Sequence, residues 1–338
     1  MKDFFIIFLI LVFFINELVL RKKYFLDRID FSKHKLFVNN NIPTVGGLYI
    51  LIFLSLFYVD ISFMNLLFFM LIYLTGLSSD RLKNFSPKIR LLLQILITFL
   101  FIINSDTFIL DTRIDTVNYL FNNYKFTSIF FTIFCFIILI NGTNFIDGTN
   151  LNTIGYYIII YSVIYYLSKK FYLTLNFDFN LKIILFLFTL YILNYLNKIQ
   201  LGDSGSYLLS FFSAFYLIHF ANNNNYISPY FVILILWYPC FENLFSILRK
   251  IYQNKRISEP DNFHLHHCLY KFLKNRNFKN LNNLSGFIIN LTNLIFISFG
   301  MHFLNSTKNL VLLLLVYVLI YIFSYNYLIR KNLRKKLF

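Results

Sequence analysis

The sequence predicts an all-α, polytopic integral-membrane helical bundle of about eleven transmembrane helices, with the N-terminus outside and the C-terminus cytoplasmic. Three observations predict it. Of 338 residues, 58% are hydrophobic and only 14% charged, against about a quarter charged in soluble domains. The apolar residues gather in runs near the ~20 residues that cross a hydrocarbon layer. The basic residues, finally, are spread very unevenly between alternate connections.

The runs cover approximately residues 3–20, 45–59, 62–77, 89–104, 126–142, 153–167, 183–197, 206–220, 229–247, 285–304 and 310–329. Residues 3–20 are followed by Arg21-Lys22-Lys23 and by no small-residue cleavage site, so they read as a first span and not as a secretory signal. The second, third and sixth runs are the shortest. Connections 21–44, 78–90, 143–152, 198–205 and 248–284, with the tail after 329, hold 24 of the 31 Lys and Arg. Cytoplasmic loops retain positive charge, so this set faces the cytoplasm of a cell inner membrane. The formal charge of +16 is thereby a topology signal, with attraction to anionic membrane lipids, and nucleic acid needs no place in the account. Cys135, Cys240 and Cys268 have no metal-ligand spacing and read as inert thiols. No linker or repeat divides the chain, so residues 1–338 read as one domain. Residues 105–125 suggest a short hairpin at the outer side. Phe272 and Leu273 between Lys271 and Lys274 suggest an interfacial amphipathic helix.

Polar chemistry collects in the cytoplasmic connections. Asp147 and Asp203 lie in short connections bounded by apolar spans, where a carboxylate must be paired, hydrated or bound to a cation. In Gly202-Asp203-Ser204-Gly205-Ser206 the acid stands between glycines before a span, suiting a phosphate or a metal; helix capping by Asp203 or Ser204 is the competing reading. Asn141, Asn144 and Asp147 recur at spacings of three, which puts them on one face of a helical turn. Their hard oxygens suit Mg2+ with a phosphorylated substrate; capping by Asn and Gly148 is the alternative. His264-Leu265-His266-His267 fits a closed zinc site poorly and suits phosphate contact, with Arg256 nearby. Asp80 stands among Arg81, Lys83, Lys88 and Arg90, either as part of a site or in a simple positive-inside loop; Asp30 and Lys35, before Pro43 and Gly46-Gly47, are ambiguous in the same way. Glu17 and Glu242 lie within spans and receive no role.

This ordered set resembles the polyprenyl-phosphate N-acetylhexosamine-1-phosphate transferases, the glycosyltransferase family 4 type. These include phospho-MurNAc-pentapeptide translocase and the undecaprenyl-phosphate GlcNAc-1-phosphate transferases. The resemblance runs from Asp30 to His267. It departs at Ser79-Asp80, where the family has two Asp, and at Asn150-Leu151-Asn152, where Asp-Gly-Leu is usual. It implies transfer of a sugar 1-phosphate from a UDP-N-acetylhexosamine to undecaprenyl phosphate, releasing UMP, as the first step of surface-polysaccharide or cell-wall precursor synthesis. It further implies Mg2+ (or Mn2+) on Asp203 and Asn144, catalytic roles for Asp80, Asp147, His264, His266 and His267, and substrate binding by Asp30, Lys35, Arg90, Asn141, Asn150 and Arg256. A transporter or flippase of a lipid-linked or anionic substrate is the alternative, but transporter sites lie near the membrane midplane, whereas these residues collect at one face.

Overall fold

A computed structural model describes residues 2–26, 42–58, 62–82, 85–171, 177–257, 259 and 261–334. Asp30, Lys35 and Lys83 lie outside the described residues. The described chain is helical and contains no strand; one isolated bridge joins Leu26 to Pro43. Seven helices are long and apolar enough to cross a membrane: α1 (Lys2–Arg21), α3 (Phe63–Arg81), α4 (Pro87–Ser105), α6 (Lys125–Ile146), α8 (Phe177–Tyr195), α13 (Leu281–Gly300, continued by a short 3-10 turn) and α14 (Thr307–Arg334). The protein is a multi-pass membrane protein.

The remaining apolar runs depart from the simple picture for separate reasons. The second run forms α2 (Gly46–Phe57), whose 12 residues extend about 18 Å, short of the hydrocarbon thickness. The sixth and eighth form α7 (Asn152–Phe171) and α9 (Gly202–Asn222), which are long enough but more polar than a lipid-facing span. In α9 this follows from position: it is packed by α2, α3 and α6 and is buried nearly all round. Such a helix tolerates Ser210 and Ser213, whose hydroxyls donate back to the carbonyls of Ser206 and Leu209.

The ninth run breaks into α10 (Pro229–Ile235) and α11 (Trp237–Tyr252), bent by 73°. Pro239 has no N–H to give to the Ile235 carbonyl four residues earlier. That carbonyl accepts instead from the Tyr156 hydroxyl at 2.6 Å. α6 fits against the bend through Gly142, where a Cβ would lie 2.1 Å from the Pro239 carbonyl oxygen. The bend turns the second half of the run, with its polar face, toward α6.

Two local expectations change. Residues 105–125 form no strand hairpin but a short helix, α5 (Asp115–Asn123); just before it Arg113 donates to the Asn225 and Asn305 carbonyls and ties three connections together. The expected amphipathic helix exists as α12 (Leu265–Lys274), yet it packs on α13 and α14 and buries His266, His267, Cys268 and Leu273. Glu17 of α1 pairs with Lys198 at 3.1 Å, a surface tie between α1 and the α8–α9 connection.

Candidate active site

The N-terminal turn of α9 is built by close backbone contact. The chain enters it through Gly202 at φ +73°, a left-handed conformation open to glycine at little cost. Gln200 donates to the Pro43 carbonyl and accepts from Gly46 N–H, which docks the first loop's glycines onto this turn. On α3, a Cβ at Gly76 would sit 2.4 Å from Ser204 Cα, so only glycine lets α3 approach α9 this closely. One turn further along α3, Asp80 meets the start of α9. Its Oδ1 accepts from Asp203 N–H at 2.9 Å and its Oδ2 from Ser204 N–H at 3.1 Å. Leu201, at the N-cap position, makes no side-chain cap. Asp80 therefore caps α9 from a neighbouring helix, supplying both a partner for free amides and a negative charge at the helix start.

Capped in this way, the α9 turn presents the Asp203 side chain outward. Asp203 Oδ1 accepts from Asn144 Nδ2 at 2.7 Å. Its Oδ2 accepts from the Ser79 hydroxyl at 2.5 Å and from Arg90 Nη1 at 3.2 Å, and Arg90 also donates to Ser79 Oγ at 2.7 Å. Ser79 thus links the arginine to the carboxylate. Arg90 and Asp203 are 27% and 25% exposed, open enough for a ligand to compete for them. Asn141, one turn before Asn144, donates instead to the buried Gln94 side chain at 2.9 Å.

Among the described residues no group of three or more His, Cys, Asp or Glu forms a ready-made metal cluster. The groups that do meet are the Asp203 carboxylate and the Asn144 carboxamide beside Ser79; Asn144 turns its Nδ2 to Asp203, and a flip of the amide would offer its Oδ1 as a second hard oxygen. That set fits a Mg2+ ion, which commonly takes one or two carboxylates and completes its shell with water and substrate phosphate.

The α6–α7 turn forms the next wall. Asp147 ends α6 and faces the cavity. Leu151 stands where glycine is usual in the resembled family, and it adopts φ +67°, a conformation costing a branched side chain about 1–2 kcal/mol. Asn290 holds its carbonyl at 2.8 Å and Asn194 its N–H at 2.7 Å, both buried. Asn150 borders the cavity, but its amide is spent on the Asn194 carbonyl, Asn197 and Asn283. At Gly148 a Cβ would lie 2.1 Å from His266 Nε2, so this glycine is the gap into which the His266 ring packs.

The opposite wall comes from α11 and α12. Arg249 donates to both oxygens of Asp261, at 2.9 and 2.7 Å, and to the Tyr325 hydroxyl and Phe263 carbonyl. The pair is 7% and 10% exposed. Burial opposes ionisation of Asp261, yet the guanidinium outweighs it and holds the carboxyl below its usual value. His264 Nδ1 lies 3.0 Å from Glu242 Oε1. Burial pushes His267 down to about 3, with His264 and Lys271 adding to the effect, and pushes His266 far below the ordinary imidazole range. Both rings are neutral near pH 7.

A cavity of about 1090 Å³ joins these walls. Of the residues singled out from sequence, it brings together Arg90, Asn141, Asn144, Asp147, Asn150, Asp203, Arg256, His264 and His267. Asp80 and His266 do not line it: Asp80 lies behind the α9 turn, and His266 is wholly buried behind Gly148. Sequence reasoning missed Arg249 and gave Glu242 no place. Their signal was a seven-residue spacing, two helical turns on one face, within an otherwise apolar run.

Residues 62–221 match the family described as glycosyl transferase family 4. The matched segment contains Ser79, Asp80, Arg90, Asn141, Asn144, Asp147 and Asp203, and ends before α10 and the histidine segment. A stretch of 76 residues is 37% identical to the probable undecaprenyl-phosphate N-acetylglucosaminyl 1-phosphate transferase of Bacillus subtilis (strain 168), covering 22% of this chain. The chain spans about a fifth of that relative's length, 21%.

Proposed function

We propose that this protein transfers an N-acetylhexosamine 1-phosphate from a UDP-sugar to undecaprenyl, or a similar polyprenyl, phosphate and releases UMP. The observation that carries the reading is the composition of a single cavity. Its lining offers Asp203, Asn144, Arg90, Arg256 and His264 together with the apolar side chains of Leu91, Phe134, Ile137, Leu244 and Ile247. A phosphate-rich, water-soluble donor and a lipid phosphate can meet in such a space. The family-4 match and the similarity to a relative named for this type of reaction support the assignment.

In this reading the acceptor's phosphate oxygen attacks the phosphorus that bears the sugar, and the bond from that phosphorus to UMP breaks. The acceptor is itself an anionic nucleophile, so the protein's task is positioning and charge neutralisation. Arg90 and Arg256 hold phosphate oxygens, with His264 and His267 contributing ring nitrogens. Asp147 orients the acceptor phosphate and takes its remaining proton. Asp80 does not perform this step, because both its oxygens are committed to the α9 backbone; it keeps Asp203 in place. Asp203 and Asn144 would hold Mg2+ (Mn2+ as substitute), which supplies charge neutralisation of the diphosphate. The chain acts as one domain on the cytoplasmic face of the inner membrane, with the N-terminus outside and the C-terminus inside. The concentration of Lys and Arg in the connections that carry these residues supports this orientation.

The test is to incubate purified protein with undecaprenyl phosphate, Mg2+ and a panel of UDP-N-acetylhexosamines, and to follow UMP and the mass of the lipid product. One sugar should give a lipid-linked sugar diphosphate, with activity lost on chelation. Absence of UMP release with every sugar tried, from folded protein, would sink the reading.

A further inference from the structure

Glu242 is 0% exposed on α11. A carboxylate so placed persists only if its oxygens are satisfied. Three donors, all from outside its own helix, satisfy it. The Tyr321 hydroxyl of α14 donates to Oε2 at 2.5 Å, His264 Nδ1 meets Oε1 at 3.0 Å, and Leu265 N–H, at the start of α12, approaches Oε1 at 3.4 Å. Phe241 and Phe245 close edge-on around Tyr321, sealing the carboxylate from lipid.

His264 itself precedes α12 in an extended conformation (φ −69°, ψ 153°). No helical packing fixes its ring, so its orientation rests on side-chain partners. Phe145 lies against one face at 5.0 Å between ring centres, and the His266 and His267 rings lie at 5.8 and 5.7 Å. The other ring nitrogen, Nε2, is 3.8 Å from Asp261 Oδ1, beyond hydrogen-bond length, and that carboxylate is already held through both oxygens by Arg249. His264 borders the cavity. Nδ1 is thus engaged with a buried acid while Nε2 remains for a ligand.

We propose that Glu242, braced by Tyr321, is a positioning residue: it holds the Nδ1–H of His264 and so aims Nε2 at the bound substrate, where the ring, as the imidazolium, donates its Nε2–H to a phosphate oxygen. The partner of a functional histidine's second nitrogen commonly sets its tautomer and angle in this way. The inference rests on the transferase reading for the identity of the phosphate, but the pairing itself is testable without turnover. It also gives α14, far outside the matched segment, a part in the site: Tyr321 braces Glu242, and Tyr325 accepts from Arg249 one turn further along.

The experiment combines a double-mutant cycle with a spectroscopic readout. Glu242→Gln keeps the side-chain shape and should lower kcat/KM by about 10- to 100-fold. In a His264→Ala background the same substitution should change kcat/KM less than about twofold, because its route of action is gone. In protein carrying 15N-labelled histidine, the His264 signals, assigned by their disappearance in His264→Asn, should report a protonated Nδ1 in the wild type and a mixture of tautomers in Glu242→Gln. An unprotonated Nδ1 in the wild type, or equal losses from Glu242→Gln with and without His264, would overturn the proposal. If wild-type protein turns over no UDP-sugar, the transferase reading fails, and the nitrogen signals alone decide the pairing.

Discussion

At the α9 end of the cavity the chemistry rests on backbone: glycines let α2, α3 and α9 touch, Asp80 binds two amide N–H groups, and Asp203 and Arg90 remain about a quarter exposed. At the α12 end it rests on buried side-chain pairs: Arg249 with Asp261, and Glu242 with His264 and Tyr321, nearly all removed from solvent. The first arrangement leaves its reactive groups free to exchange partners with a ligand. The second spends most of its charges on holding one another, while His264, His267 and the exposed Arg256 border the cavity. The difference separates a region organised to bind from a region organised to position.

The largest effect should come from breaking a buried pair. Arg249→Met leaves Asp261 without its partner in a buried setting, and loss of one member of such a pair costs about 3–5 kcal/mol. Thermal unfolding in detergent should show this, and Asp261→Asn added to Arg249→Met should recover a large part. No recovery would mean that Arg249 acts through Tyr325 and Phe263 rather than through the ion pair.

At the other end, Asp203 and Asp80 should behave differently despite being adjacent in space. Asp203→Asn should reduce turnover ~100-fold or more, about 2.7 kcal/mol, with little change in unfolding temperature. Asp80→Asn removes one of two capping acceptors and should cost about 1–2 kcal/mol of stability, with activity falling as Asp203 loses its support. Equal stability with a larger catalytic loss at Asp80 would make it a reacting group and erase the division drawn here.

A smaller effect concerns pH. His267 folds with its pKa near 3, whereas an unfolded histidine titrates near 6.5. As pH falls below about 6.5 the unfolded chain takes up a proton that the folded chain refuses, so stability declines from there down toward pH 3, by on the order of 2 kcal/mol at pH 5. Unfolding temperatures at pH 7.5 and pH 5 should show the decline, and His267→Asn should flatten it; an unchanged slope would place the acid sensitivity elsewhere.

The smallest sharpens the account of the wall between the two ends. Leu151 is buried, 4% exposed, at φ +67°. Both Leu151→Ala and Leu151→Gly lose its packing, but only glycine releases the backbone, so the glycine variant should be the more stable by about 1 kcal/mol, the reverse of the usual order. Ala above Gly would show that the turn has relaxed.

Much of the α9 end was legible because its requirements are local: an acid between glycines, Asn at helical spacing, an arginine four residues before Gln94. The Asp80 cap was not, since it joins residues 123 apart, and no pattern near Asp80 distinguishes a cap from a reacting acid. The α12 end was harder still. Glu242, Tyr321 and Tyr325 sit inside runs that read as ordinary spans, and among 25 tyrosines nothing marks the two that matter. His266 illustrates the limit within one motif, since its neighbours reach the cavity while it packs behind Gly148.

By itself the sequence determined that this protein is helical and crosses a membrane several times, because apolar runs and charge asymmetry act through the solvent and need no partner. It also determined which residue types gather at the polar connections. Only the tertiary structure decided which of them share a cavity. It bent the ninth run at Leu236, just ahead of Pro239, hid α9 from lipid, assigned Asp80 to backbone and Asp203 to the open side, and joined Glu242 to His264. Those outcomes depend on hydrogen bonds and close contacts between distant segments, whose energies exist only once the helices have packed.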